Sequence, residues 1–121
     1  MKYMVLIYGS EAAAANMTEA AMQAELAEYF AYNDLLKKEK AYIAGEALQP
    51  ISTATTVRVR NGKAQHTDGP FAETKEQLGG FYFIEAPSLE KALELGAKCP
   101  GAKAGSVEVR PIVDFGPMEN K

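Results

Sequence analysis

Every position of residues 3–8, Tyr-Met-Val-Leu-Ile-Tyr, is apolar. A strand with that pattern is covered on both faces, because alternate side chains point to opposite sides. Gly9-Ser10 ends it. The alanines at 12–15 have helix propensity but no start signal, so the pattern reads as a loop or a loose turn there. Thr18 is a suitable N-cap, its hydroxyl able to accept from a free first-turn amide, and Met17 and Met22 are spaced for a hydrophobic staple. Met22, Leu26, Tyr29 or Phe30, Asn33 and Leu36 recur at intervals of three and four. That is the stripe of an amphipathic helix, predicted over 18–40. Its cationic end, Lys37-Lys38-Glu39-Lys40, suits the negative pole of the helix dipole.

Residues 41–48, AYIAGEAL, predict a second strand stopped by Gln49-Pro50. Residues 53–60 alternate, with Val57 and Val59 on one face and Arg58 and Arg60 on the other. Asn61-Gly62 predicts a hairpin turn, since both residues tolerate positive φ, and residues 63–67 form its returning arm. Residues 78–86, LGGFYFIEA, carry apolar side chains on both faces and predict a central strand. Ser88 caps a second helix through about Lys98, with Leu89, Ala92 and Leu93 inward and Gly96 weakening it by roughly 1 kcal/mol. Cys99-Pro100-Gly101 ends that helix. SVEVRPIV, residues 106–113, is the last strand, its alternation and Pro111 pointing to an edge position or an irregular end. Residues 1–113 form the domain, and residues 114–121 read as a flexible tail.

The order β-α-β, hairpin, β-α-β predicts an α+β fold, the ferredoxin-like split β-α-β arrangement with an inserted hairpin. Two right-handed crossovers put both helices on one face of an antiparallel sheet. The first strand and the Phe81–Ile84 segment are nevertheless apolar on both sides. The other face then needs a cover, and a second copy of the same sheet supplies one. The expected assembly is a homodimer through sheet faces, a dimeric α+β barrel.

Composition narrows the function. At 121 residues, 47% hydrophobic and 24% charged, the chain has enough core for one domain without disulfides or metal. A net charge of −3, with cations scattered among acids, argues against nucleic acid as a partner. The single cysteine excludes an internal disulfide and fits a reducing compartment. The N-terminal apolar run is shorter than a signal h-region, and no stretch has the length of a membrane span. The expected location is cytoplasmic, with no membrane partner. One histidine and one cysteine cannot build a metal cluster, and neither a phosphate loop nor a dinucleotide fingerprint is present. No metal or cofactor is expected.

The chemistry-bearing stretch is TDGPFAETKEQLGGFYF, residues 67–83. Asp68 is the candidate catalytic acid or base. Gly69-Pro70 stiffens the backbone after it, and burial beside Phe71 would raise its pKa towards a useful range. The plain alternative is a turn aspartate bonding its own backbone amides. Phe71, Glu73 and Lys75 are candidate substrate-binding residues. In an extended segment Glu73 and Lys75 share a face, whereas in a solvated loop their charges contribute under about 1 kcal/mol. His66 is a further candidate by its titration range, though residues two apart on a strand need not touch. Glu46, inside an apolar strand, would need a partner such as Lys75, Arg58 or Arg110 if buried. Tyr29, Tyr32 and Glu46 are placed to line a pocket between the first helix and the sheet, with Tyr29 serving the core first. Cys99 has no nearby base and reads as inert.

MKYMVLIYG, AGEALQP with TATTVRVR, TDGPFAETKEQLGGFYFIEA and the closing CPG and GSVEVRP are similar to the DGPF-type branch of the YCII-related proteins. The resemblance runs over residues 1–113. It implies a bacterial protein, a dimeric α+β barrel of ferredoxin-like subunits, and an enzyme with a His-Asp pair in a cleft, the histidine lying in the first helix. That helix has no histidine here; Glu28 or Tyr29 stands about there. Asp68, Phe71, Glu73 and Lys75 match the motif itself. Genes of this type stand beside genes for extracytoplasmic-function sigma factors, which implies a sigma factor as a partner. Three functions follow: acid/base chemistry on a small polar molecule in a cleft beside the motif, ligand sensing tied to a sigma-factor system, and a purely structural dimer.

Overall fold

The computed structural model describes residues 1–118. Its elements run β1 (Lys2–Gly9), α1 (Glu11–Ala14), α2 (Glu19–Lys38), β2 (Tyr42–Ala47), β3 (Thr55–Arg60), β4 (Lys63–Asp68), β5 (Gln77–Glu85), α3 (Leu89–Ala97), α4 (Gly101–Ala104) and β6 (Ser106–Pro111). Single 3₁₀ turns follow at Ile51–Thr53 and Gly116–Met118. The second turn gives part of the expected tail a local structure, with the Asp114 carboxylate accepting from the Gly116 N–H. Residues 119–121 of that tail lie outside the described residues.

The sheet has the order β2-β5-β1-β6 with every neighbour antiparallel, the ferredoxin-like split β-α-β arrangement. The two strands that are apolar on both faces, β1 and β5, are its central pair, and the proline-ended β6 is an edge. β3 and β4 form a separate two-stranded hairpin, closed by Asn61 and Gly62 at φ 55° and 74°. Both residues need positive φ in this turn, which is why Asn-Gly announces it.

Alternation divides the sheet. Tyr3, Val5, Tyr82 and Ile84 face the helices and are buried together with Tyr32, Leu36, Ala92 and Leu95. Met4, Leu6, Phe81 and Phe83 point the other way and stay half-buried. On that second face the register aligns Glu46, Phe81, Leu6 and Glu108 in one row, and Ala44, Phe83, Met4 and Arg110 in the next. Both long helices lie on the first face.

The helix ends follow their sequence signals. Thr18 Oγ1 accepts from the Ala21 N–H at 3.1 Å, and Ser88 Oγ from the Lys91 N–H at 3.2 Å. α2 closes with Lys40 at φ 59°, its N–H bonded to the Lys37 carbonyl and that of Ala41 to the Leu36 carbonyl. This is the left-handed closing motif in which glycine is the usual residue. No helix among the described residues is long and apolar enough to cross a membrane.

Four local expectations are corrected. Residues 11–14 form a helical turn because Ser10 Oγ accepts from the Ala13 N–H, a start signal inside the Gly-Ser stop. The Cys99-Pro100-Gly101 stop is followed at once by α4, for which Pro100 stands at the N-cap without a side-chain hydrogen bond. α3 buries Ala92, Leu95 and Gly96, while Leu89 and Leu93 are half exposed. The reason is the missing side chain at Gly96: a Cβ there would lie 2.8 Å from Val109 Cγ2, so the glycine ridge settles against β6. Finally, only the C-terminal part of the α2 stripe reaches the core. Met22, Leu26 and Phe30 remain 51–59% exposed.

Candidate functional site

The unburied half of the α2 stripe overlooks a cavity of about 970 Å³. The sheet floor below it consists largely of positions with no side chain to fill the space: Gly9, Gly45, Gly79 and Gly80. Two of these glycines are required by close approach. A Cβ at Gly80 would stand 3.0 Å from the Glu46 carbonyl oxygen, and one at Gly45 would meet the Tyr82 ring at 2.6 Å. Met17, Met22, Leu26 and Phe30 form the apolar roof.

α1 is the end wall, and it is clipped to two other elements. The Glu11 N–H donates to Gln77 Oε1 at 2.9 Å, at the start of β5. The Glu11 carboxylate accepts from the Ile51 N–H at 3.0 Å, in the turn after β2. A four-residue helix is marginal alone, so these contacts decide where the wall stands.

The polar groups on the lining include phenols and carboxylates together with the side chains of Ser10, Asn33 and Gln77. Tyr82 Oη donates to Asn33 Oδ1 at 2.5 Å, and its pKa is pushed up to about 12, first by burial and then by the nearby Cys99. The Tyr29 phenol is raised further by burial, with the charges of Cys99 and Glu25 adding to it. Burial also raises the Cys99 thiol, in keeping with an inert cysteine. Both phenols therefore stay protonated through the neutral range and act as hydrogen-bonding groups. Tyr32 lies behind the cavity in the core, its hydroxyl donating to the Leu95 carbonyl at 2.8 Å.

The structure divides the residues singled out from sequence. Tyr29 lines the cavity, whereas Glu46 only borders it along β2, its side chain lying with Phe81 and Leu6 on the sheet's second face. Glu46 lies on the edge strand β2 opposite Phe81, and it is exposed, without Lys75, Arg58 or Arg110 as an ion-pair partner. An exposed edge position removes the desolvation that would have demanded one. Arg110 instead pairs with Glu108.

Asp68 and His66 stand elsewhere, on β4, whose six residues are all exposed. The register pairs Asp68 with Thr55 and His66 with Val57, so both side chains share one hairpin face. The turn after Asp68 is held by the backbone: the Gly69 N–H donates to the Ala54 carbonyl at 2.8 Å, and Thr56 Oγ1 donates to the Gly69 carbonyl at 2.9 Å. Gly69, at φ 102°, takes a conformation that a side chain would strain. Phe71 is 80% exposed, with the Arg58 guanidinium 5.7 Å from its ring centre. Glu73 and Lys75 are exposed in an irregular segment of bends, not an extended one. Asp68, Phe71, Glu73 and Lys75 are thus absent from the cavity lining of their own chain.

Sequence reasoning passed over Glu11, Glu25 and the glycine floor. Ser10 followed by Glu11 was a readable helix start; the floor left no local signal. Among the described residues, no three His, Cys, Asp or Glu side chains converge on a point that could hold a metal ion.

The family model for the YCII-related domain matches residues 1–116. An uncharacterised protein of Rhizobium meliloti (strain 1021) is 36% identical over 127 residues, covering 98% of this chain and 98% of that protein. The chain belongs to the YCII-related family.

Proposed function

We propose that this protein is a cytoplasmic homodimer that binds a small, largely apolar organic molecule in the cavity between α2 and the sheet. The cavity carries the reading. Its volume of about 970 Å³ falls at the upper end of small-molecule sites, roughly 300–1,000 Å³. It also combines an apolar roof with a few convergent polar groups. Binding or sensing, including sensing within a sigma-factor system, suits this lining better than proton transfer does, because the wall phenols are held well above neutrality. The neutral dye Nile red is expected to brighten on binding one site per chain. Leu26→Trp, at a roof position 53% exposed, fills the entrance without disturbing the core and should abolish that signal at an unchanged melting temperature. Equal brightening of the two proteins would remove the cavity from consideration.

A second reading, acid/base chemistry on a small polar molecule, rests on the exposed face that Asp68 shares with His66. A cleft around these residues, with Phe71 excluding water and Glu73 and Lys75 orienting a substrate, requires cover from a second chain. The half-buried apolar face of Met4, Leu6, Phe81 and Phe83 favours such a pairing through its isologous burial. Light scattering is expected to give the mass of two chains. Asp68→Asn should keep that mass under the catalytic reading while turnover is lost. Loss of the dimer in the variant would mark the motif as structural instead.

A further inference from the structure

Two elements stand uncovered at one end of the fold. From Glu19 to Glu28 every residue of α2 is exposed, a length of about three helical turns. The second element is the β3-β4 hairpin. Its root lies at the same end, since Ala47, the last residue of β2, and Gln77, the first of β5, both line the cavity. A two-stranded hairpin is marginally stable in water by itself, and a helix in a protein gains most of its stability by packing an apolar face. Both elements therefore call for a cover, and their own chain does not supply it. β4 is exposed throughout, and neither the hairpin nor Phe71 lines the cavity. The two surfaces match in chemistry. On the hairpin, Arg58, Arg60, Lys63 and Gln65 share one face, with Arg60 directly opposite Lys63. Like charges so placed destabilise a hairpin left to itself. None of the three cations forms an ion pair among the described residues. Phe71 lies against this basic face through the Arg58 guanidinium and is 80% exposed. On α2, residues 19–34 carry Glu19, Glu25, Glu28 and Asp34 and no lysine or arginine. Among the described residues only Glu28 of these acids is paired, with Lys103.

Resting on the cavity as the binding site, we propose that the site is completed by a second copy of this chain. The copy's hairpin lays its basic face along the exposed half of α2, and Phe71 of the partner subunit seats on Met22, Leu26 and Phe30 over the cavity mouth. Aromatic and arginine side chains are the usual buried anchors of protein interfaces, and Phe71 with Arg58 forms such a pair ready-made on the surface. The acidic helix supplies the opposite charge that Arg60 and Lys63 lack in their own chain. A two-fold axis makes the exchange mutual, so each chain gives one hairpin and receives one, and the assembly closes at two chains. The contact uses none of Met4, Leu6, Phe81 and Phe83, so it adds to the sheet-face pairing. It also gives the Asp68–Phe71 stretch a part in the cavity of the other chain that it does not have in its own. Val57, Val59, His66 and Asp68 occupy the opposite hairpin face and stay outside the contact.

The test is complementation between two variants that each fail to bind Nile red. Phe71→Ala should weaken binding of the dye at least about tenfold, whereas Val59→Ser, on the far face of the hairpin, should leave it unchanged. Phe71→Ala chains and Leu26→Trp chains are then co-expressed with different tags, and the mixed dimers are isolated by both tags. In the mixed dimer the Phe71→Ala chain keeps an open roof and receives an intact Phe71 from its partner. One dye per dimer is expected, against two for the wild type. A mixed dimer that binds as poorly as its parents overturns the proposal, because a site closed within one chain would be defective in both halves. Full binding by Phe71→Ala alone overturns it too, as does a wild-type mass of one chain in light scattering. The contact is read separately by cross-linking Leu26→Cys chains to Phe71→Cys chains with a short bismaleimide, the native Cys99 being buried. A product of two chains is expected from the mixture. No product, or linkage within a single doubly substituted chain, overturns the contact. If the wild type does not brighten Nile red, the binding reading fails and the completed site with it, while the cross-link still decides the contact.

Discussion

Gly105→Ala is expected either to prevent accumulation of folded protein or to lower its melting temperature by about 10 °C. A Cβ at Gly105 would stand 2.1 Å from the Tyr8 carbonyl oxygen, with Gly9 Cα and the Tyr8 carbonyl carbon at 3.1 and 3.2 Å. All three atoms are backbone. A side chain in the way can rotate, but these belong to the central strand β1, whose register with both β5 and β6 would have to shift. Overpacking ordinarily costs about 1–3 kcal/mol, and a clash that only backbone movement relieves belongs at or above that limit. For a domain of this size that corresponds to about 10 °C or more. Gly9→Ala is the matched control: a Cβ there meets nothing within 4 Å, so its effect should stay within about 1 kcal/mol. Thermal melts of the two variants, followed by circular dichroism, check the contrast. A Gly105→Ala protein that melts with the wild type would mean that α4 and β1 do not approach as described.

That contact also shows where sequence reading stops. The central strands were legible because an uninterrupted apolar run has one explanation, cover on both sides. Asn61-Gly62 fixed the hairpin, and Thr18 and Ser88 fixed two helix starts, since each signal acts within a few residues of the place it specifies. Gly105 carries no such signal. Its requirement comes from a carbonyl almost a hundred positions earlier in the chain. The α3 stripe misled for a similar reason: Leu89 and Leu93 are the larger apolar residues, but Gly96 lets the helix sit closer to Val109 when turned the other way. In α2, periodicity gave the stripe without saying how much of it the sheet would cover.

The site follows the same division. The DGPF stretch draws attention because its residues are chemically rich and contiguous, and the structure gives it a hairpin end whose turn is tied by backbone hydrogen bonds. The cavity is built from omissions, with glycines from β1, β2 and β5 meeting beneath a helix that diverges above them. Tyr29 could be assigned to a pocket between helix and sheet because it stands out against its own element. Glu11 and Glu25 could not, since an acid in the first turn of a helix or on its surface is unremarkable until the opposite wall is known.

Alkali should unfold this protein cooperatively. Tyr29, Tyr32 and Tyr82 all have phenols raised above the ordinary value of 10.0, chiefly by burial, and the Cys99 thiol is likewise raised above 9.0. Each group is neutral when protonated, and burial opposes its ionisation in the folded state. The stability held by these shifts is therefore fully present below the unfolded-state values. It begins to fall near pH 9, as the unfolded chain loses the Cys99 proton that the native state retains, and falls more steeply from pH 10 as the three phenols join. Tyr82 stops contributing to the slope at about pH 12. Each group lowers stability by about 1.4 kcal/mol per pH unit in its window, so three phenols together remove about 4 kcal/mol per unit. Against a typical reserve of roughly 5–15 kcal/mol, that drives unfolding between about pH 11 and 12. The phenolate absorbance should rise in a jump that coincides with the loss of helical circular dichroism. Tyr82→Phe should make the alkaline slope shallower by one proton, because it removes a titrating group together with its hydrogen bond to Asn33. Helical signal that persists to pH 12 while all the phenols titrate smoothly would show that these tyrosines are not buried as the fold requires.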